Sequence, residues 1–292
     1  MSPSGTGSVP AECLAVDIGG TKVDVAVVTR SGDILERFKI EVSEFPQTLF
    51  DEIVRVSRNF ITSHNVNSMG VACAGPMSNK GETVSPLNIA QWRNFRLRDE
   101  LIAALDVTVN IDGDVKALAL AEGVFGAARG VDSYFSMVLS TGIGGGVVMD
   151  GRLLNGVSGN AGHLGHVNVV PDGEQCSCGA RGCLEAEVSG WAIAKQTGKP
   201  AQEATPEVRQ RCAELFGRGV GTLMSVMDVN RCFVGGSVAL GFGEEFFRTA
   251  SLHARQMATM AYSSDLQILP TGLGQNGPLL GASLLCWQED HA

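Results

Sequence analysis

One order of segments occurs twice in this chain and limits its fold more than any other feature. Residues Cys13 to Val28 read CLAVDIGGTKVDVAVV: an apolar run, a Gly-Gly turn, then alternation, the pattern of a β-hairpin. Ser31-Gly32-Asp33 makes the next turn, and Ile34 to Val42 has the pattern of a third strand. From Tyr134 the order restarts, with a strand to Leu139, a glycine turn from Ser140 to Gly146, a strand from Val147 to Met149 and a turn at Asp150-Gly151. Internal repetition sets architecture before any single residue does. Two copies of a hairpin-led α/β unit predict two similar lobes with a cleft between them.

The remaining segments fill in each copy. Leu49, Ile53, Val56 and Phe60 recur at helical spacing within Gln47 to Ser63. A short strand, Met69 to Ala72, ends at Ala74-Gly75-Pro76, and Leu97 to Leu105 reads as an amphipathic helix. Val107 to Ile111 is a strand that enters an Asp112-Gly113-Asp114 turn, and Val115 to Phe125 a helix. In the second half Pro206 opens a long helix to about Val226, since proline is tolerated in a first helical turn. A strand, Arg231 to Val234, then reaches Gly235-Gly236-Ser237. A helix from Glu244 to Met260, a strand from Leu266 to Leu269 and a closing helix from Pro278 to Trp287 follow. The chain's 37 glycines stand beside Val/Ile runs, which fits an α/β protein with tight strand ends.

Three glycine turns suit phosphate. In Asp17-Ile18-Gly19-Gly20-Thr21-Lys22 the glycines let the backbone approach phosphate oxygens, Thr21 adds a hydroxyl, and Asp17 is placed to hold magnesium. Ser140 to Gly146, with Thr141, Gly142 and Gly144, repeats the theme, and Gly235-Gly236-Ser237 gives a third turn after a strand. Neither a GxxxxGK[ST] loop nor a GxGxxG fingerprint is present, which disfavours both of those nucleotide-binding classes. His166, Cys176, Cys178 and Cys183 form a closed set of soft and borderline ligands, as a structural zinc needs. A closed set argues against zinc catalysis. The other five cysteines lie in apolar surroundings and read as reduced core thiols, which points to the cytoplasm.

Asp114, at a strand–helix junction, is the candidate general base; it also suits a helix N-cap, and Asp112 competes for the role. His163 stands three residues before His166 and is read as a substrate contact, as are the turn residues Asn88 and Glu185. With 22 basic and 31 acidic residues the net charge is −9, which excludes broad binding to nucleic acid or anionic membranes. The first twelve residues lack the basic and apolar regions of a signal peptide and read as a disordered leader.

These motifs resemble the ROK family of bacterial sugar kinases, within the actin/hexokinase-like (ribonuclease H-like) fold, from Cys13 onward. DIGGT at 17–21 and STGIGGG at 140–146 look like the family's two phosphate motifs, and 235–237 is similar to its adenosine motif. GNAGHLGH at 159–166 with CSCGARGCLE at 176–185 resembles its zinc-and-sugar segment, and SPLNIAQW at 85–92 its sugar loop. The resemblance implies a two-lobed α/β fold built on a duplicated βββαβαβα unit. The lobes would be 13–113 with 275–292, and a larger one, 114–274, carrying the zinc loop 159–185. It further implies ATP- and magnesium-dependent phosphorylation of a hexose 6-hydroxyl, glucose first, by a cytoplasmic homodimer. Asp114 falls at the family's catalytic position, and Gly75, Asn88, His166 and Glu185 at sugar contacts.

Two residues depart from the pattern. Gly113 stands where Asn usually precedes the catalytic Asp. His163 stands where glucokinases of the family carry Glu, as in some N-acetylmannosamine kinases. The alternatives are therefore an N-acetylmannosamine kinase, or a sugar sensor that does not transfer phosphate. The family's transcriptional regulators carry an N-terminal helix-turn-helix element, and only about a dozen residues precede the first strand here.

Overall fold

The computed structural model describes residues 11–42, 46–78, 81–86 and 89–287. The leader expected at 1–12 lies mostly outside them, and so does Asn88. Described residues within Met1–Ala117 and Pro278–Ala292 form one compact unit, and Leu118–Gly277 form a second.

In the first unit β1 (Glu12–Ile18), β2 (Lys22–Thr29) and β3 (Ile34–Glu41) form an antiparallel meander, followed by α1 (Pro46–His64) and β4 (Ser68–Cys73). A small hairpin of β5 (Met77–Ser78) and β6 (Thr83–Val84) precedes α2 (Leu97–Leu105), β7 (Thr108–Gly113) and the start of α3 (Asp114–Val124). The sheet order is β3-β2-β1-β4-β7, with β4 parallel to both β1 and β7. Every residue of β4 is buried, as its continuous apolar run requires of a central parallel strand. Only Ile40 of β3 is buried, and Glu36, Arg37 and Lys39 keep that edge polar. α1 packs Leu49, Ile53, Val56 and Phe60 into the same core as Leu14, Val16, Met69 and Val71.

The predicted turn at Asp112-Gly113-Asp114 is absent. Parallel pairing continues through Ala72↔Asp112 and Cys73↔Gly113, so β7 runs to Gly113 and Asp114 is already the first residue of α3.

The second unit repeats the plan. β8 (Tyr134–Leu139), β9 (Ile143–Met149) and β10 (Arg152–Leu153) form the meander, and the cysteine-rich segment follows with α4 (Leu184–Val188) and α5 (Gly190–Thr197). Then come α6 (Pro206–Met227), β11 (Arg231–Gly235), α7 (Ser237–Phe242), α8 (Glu244–Met257) and β12 (Gln267–Pro270). The sheet order is β10-β9-β8-β11-β12, position for position the order of the first sheet. Its parallel pairs are again the central one and its outer neighbour, β8–β11 and β11–β12. α6 and α8 pack closely through glycine. A Cβ on Gly217 would lie 2.3 Å from the Ala250 carbonyl oxygen, and one on Gly221 2.5 Å from that of Ala254.

Three helices escaped the sequence reading. α4, α5 and α7 span eight residues or fewer, about two turns at most, which is too short for a 3.6-residue period to declare itself. The closing helix α9 (Gly277–Leu285) returns to the first unit. There Asn110 Nδ2 donates to the Leu285 carbonyl at 2.9 Å. The division between units passes through α3 after Ala117 and falls before Pro278. The reason is local: Gly281 seats against Ala117, while Gly277 seats against Leu118.

Candidate functional site

The first unit gathers its candidate residues at the carboxyl ends of adjacent parallel strands, where open α/β sheets place their ligands. β1 and β4 pair Asp17 with Ala72, and β4 and β7 pair Ala72 with Asp112 and Cys73 with Gly113, so Asp17, Cys73 and Gly113 lie at the ends of neighbouring strands, and Asp114 follows as the first residue of α3. Burial pushes the Asp17 carboxyl up to about 7, and the negative charges of Asp114 and Asp24 push the same way. Arg37 opposes them; it forks onto Asp24 with Nε and Nη2 each at 2.8 Å. Burial also raises Asp114, partly countered by the Val115 amide, which donates to Oδ1 at 2.8 Å.

Asp112 is otherwise engaged. Its Oδ1 lies 2.7 Å from Lys116 Nζ, whose residue is only 7% exposed, and accepts the Gly113 amide at 2.7 Å. Between the two candidates, Asp114 is therefore the carboxylate whose charge lacks an ion-pair partner in the described contacts.

Cys73 was read as an ordinary core thiol. It is fully buried, and burial with the charges of Asp114 and Asp17 raises its pKa far above the usual thiol range, so it stays protonated beside both carboxyls. Its place at a strand end just before Ala74-Gly75 was the available signal.

The Gly19 amide closes the first turn on the Lys22 carbonyl at 3.0 Å. Gly19 and Gly20 are half-buried, while Thr21 and Lys22 are exposed, and Lys22 Nζ lies 3.5 Å from Glu41. Gly75 has φ +99°, and a Cβ there would come within 2.8 Å of Pro86 Cα, so it supports the loop that leads to Asn88. Gly113 has no such constraint: its φ is not positive, and a Cβ would meet nothing closer than Lys116 Cδ at 3.7 Å.

In the second unit the two remaining glycine turns come together. Ser140 Oγ and Ser237 Oγ lie 3.0 Å apart. Gly236 has φ +97°, and its Cβ would overlap the Leu139 carbonyl oxygen at 2.3 Å, so only glycine lets β11 turn beneath β8. Thr141 and Gly142 form the tip of the β8–β9 turn, which the Ser140 amide closes on the Gly142 carbonyl at 3.0 Å; Gly144 lies within β9. Glu185 does not stand alone as a polar surface residue: its Oε2 accepts the Ile143 amide at 2.9 Å.

The side-chain donor atoms of His166, Cys176, Cys178 and Cys183 all lie within 4.8 Å of one another. Cys176 Sγ is 3.6 Å from His166 Nδ1, and Cys178 Sγ is 3.7 Å from Cys183 Sγ. A tetrahedron with metal–sulfur bonds of about 2.3 Å and metal–nitrogen bonds of about 2.0 Å has edges of about 3.5–3.8 Å, so these two contacts fit a four-coordinate ion of the zinc type. Nδ1 faces the cluster, which leaves Nε2 on the opposite edge of the ring. The rings of His163 and His166 stack, with centroids 6.0 Å apart.

Two buried acids were not singled out from the sequence. Glu187, 2% exposed, pairs with Arg211 of α6 at 2.6 Å and accepts the Glu174 amide at 2.8 Å, tying the cysteine loop to that helix. Glu122, fully buried, accepts the amides of Ala127, Gly272 and Leu273. In each case the sequence signal was only a charge inside an apolar helical run.

A sequence model described as the ROK family matches residues 13–289. The chain belongs to the ROK family. Within it, a glucokinase of Streptomyces coelicolor is 33% identical over 209 residues, covering 72% of this chain and 65% of that protein. The chain thus spans a little under two thirds of that relative's length. An N-acetylmannosamine kinase of Pasteurella multocida is 29% identical over 291 residues, covering 93% of this chain and 95% of its own. Among solved structures, the ROK family glucokinase of Streptomyces griseus, in complex with glucose and AMPPNP, matches with a TM-score of 0.80 at 29% identity, covering 95% of this chain and all of that one. The fold is the mixed α/β, two-sheet architecture of the ROK hexokinases, of the actin/hexokinase-like class. No described helix of this ROK chain is long and apolar enough to cross a membrane.

Proposed function

We propose that this chain is an ATP-dependent sugar kinase that transfers the γ-phosphoryl group to the 6-hydroxyl of a hexose, with glucose the first substrate. The observation that carries the reading is Asp114: a half-buried carboxylate with a raised pKa at the start of α3, close enough for its charge to act on Asp17, while Asp112 pairs with Lys116. A carboxylate whose pKa is raised is a stronger proton acceptor than an ordinary one. As the sugar oxygen bonds to the γ-phosphorus, Asp114 takes the hydroxyl proton, the bond to the bridging oxygen breaks, and ADP leaves.

Asp17, Gly19, Gly20, Thr21, Lys22, Thr141, Gly142, Gly144, Gly235, Gly236 and Ser237 serve the nucleotide. Magnesium, when bound with Asp17, supplies positive charge to the phosphate oxygens. Zinc, when bound by His166, Cys176, Cys178 and Cys183, supplies a structural cross-link that fixes the His166 ring, with Nε2 toward the sugar. Gly75, Asn88, His163 and Glu185 complete the sugar contacts. The working form is a cytoplasmic homodimer without nucleic-acid or membrane partners.

His163 favours a second reading, phosphorylation of N-acetylmannosamine, because an imidazole in place of a carboxylate changes which hydroxyls can be paired. The deciding experiment presents ATP-magnesium with glucose, mannose, N-acetylglucosamine and N-acetylmannosamine and measures ADP release. Highest kcat/KM on glucose supports the first reading, and on N-acetylmannosamine the second. No release with any sugar overturns both in favour of a sensor.

A further inference from the structure

Glu185 stands two residues after Cys183, the last member of the Cys/His cluster, on the short helix α4. Its Oε2 accepts the Ile143 amide at 2.9 Å. The Gly190 amide donates to the Ser140 carbonyl at 2.7 Å, and the Trp191 amide to the Thr141 carbonyl at 3.0 Å. The tip of the β8–β9 turn is therefore held at three points by the stretch of chain that leaves the cysteine loop. Two of the three bonds are backbone to backbone. Glu185 is the one side chain among them.

The pairing is mutual. A Cβ on Gly142 would lie 2.9 Å from Glu185 Oε2, so the carboxylate and the turn are in close approach at that glycine. A carboxylate beside a turn meant for phosphate raises the local negative charge. Its presence there requires a compensating role, and the amide it accepts supplies one.

We propose that Glu185 is a positioning residue for the nucleotide: by fixing the Ile143 end of the turn it keeps Ser140 to Gly142 in the shape that receives phosphate, and it links that shape to the Cys/His loop. The proposal rests on the kinase reading above and assigns Glu185 a job beyond sugar contact.

The test compares Glu185→Ala with Glu185→Gln, whose amide oxygen still accepts a hydrogen bond. Three quantities are measured: the Kd of a fluorescent ADP analogue with magnesium, the Kd of glucose, and amide exchange in the peptide Leu139 to Gly146. In Glu185→Ala the ADP Kd rises about tenfold and exchange in the peptide quickens, as the loss of one charge-assisted hydrogen bond predicts. In Glu185→Gln both stay within about twofold of wild type. Glu185→Asp, one methylene short of Ile143, gives the alanine result if the alanine variant does not fold. A loss confined to glucose affinity overturns the proposal, as does faster exchange with unchanged ADP affinity, or equal loss in Ala and Gln. A wild type that binds no ADP overturns the kinase reading as well, and is recognised because it precedes any substitution.

Discussion

Lys116 Nζ lies 2.7 Å from Asp112 Oδ1, and this ion pair separates two carboxylates that are only two residues apart. Asp112 is spent on holding a buried ammonium group. Asp114, the first residue of α3, is half-buried near Asp17 with its pKa raised.

The two should respond differently to removal of charge. Asp114→Asn is expected to leave folding and nucleotide binding intact and lower kcat by about 10²–10⁴-fold, the range of a general base. Asp112→Asn removes the 2.7 Å ion pair to the buried Lys116 and should cost about 1–3 kcal/mol of stability in denaturant unfolding. Unchanged turnover in Asp114→Asn would remove it from the role of base.

Asp17 gives a pH signature. Its folded pKa of about 7 stands above the ordinary aspartate value of about 3.9, so the folded chain holds this proton where the unfolded chain has released it. The stability it contributes is full below about pH 4 and is lost as pH rises to about 7. In magnesium-free buffer Asp17→Asn should change stability little at about pH 3.5 and raise it at pH 8, by about 2–4 kcal/mol. Added magnesium should shrink the difference at pH 8. An effect equal at both pH values would contradict the buried, like-charged setting.

The Cys/His cluster predicts metal. Purified protein should contain about one zinc per chain, and a chelator should lower Tm and open the 159–185 segment to protease. A metal-free preparation with the same Tm would exclude the structural role.

Two glycines separate a backbone need from a vacant side-chain position. Gly236→Ala puts a Cβ 2.3 Å from the Leu139 carbonyl at φ +97° and should destabilise by about 2–4 kcal/mol. Gly113→Ala should stay within about 1 kcal/mol of wild type, because its Cβ meets only ordinary contacts. Gly113→Asn restores the amide usual in the family and should lower KM for glucose several-fold, by about 1 kcal/mol of binding. A KM unchanged by Gly113→Asn would place residue 113 outside the sugar contacts.

The sequence determined the repeat, the three glycine turns and the Cys/His cluster. Each is local: a period of two or of 3.6, a glycine where a strand must turn, and four ligands of which Cys176 stands ten positions after His166 and Cys183 seven positions after Cys176. Such signals survive in one dimension because the residues that cause them are neighbours in the chain. What only the tertiary structure decided depends on partners far apart. Pairing of β7 with β4 turned the expected Asp112–Asp114 turn into a strand end, and the neutralisation of Asp112 by buried Lys116 singled out Asp114. Glu185, read as a polar turn residue, meets Ile143 across 42 positions, and Glu122 meets Gly272 across 150. Burial and charge neighbours set the state of a carboxylate, and both are properties of the packed chain rather than of the segment that carries it.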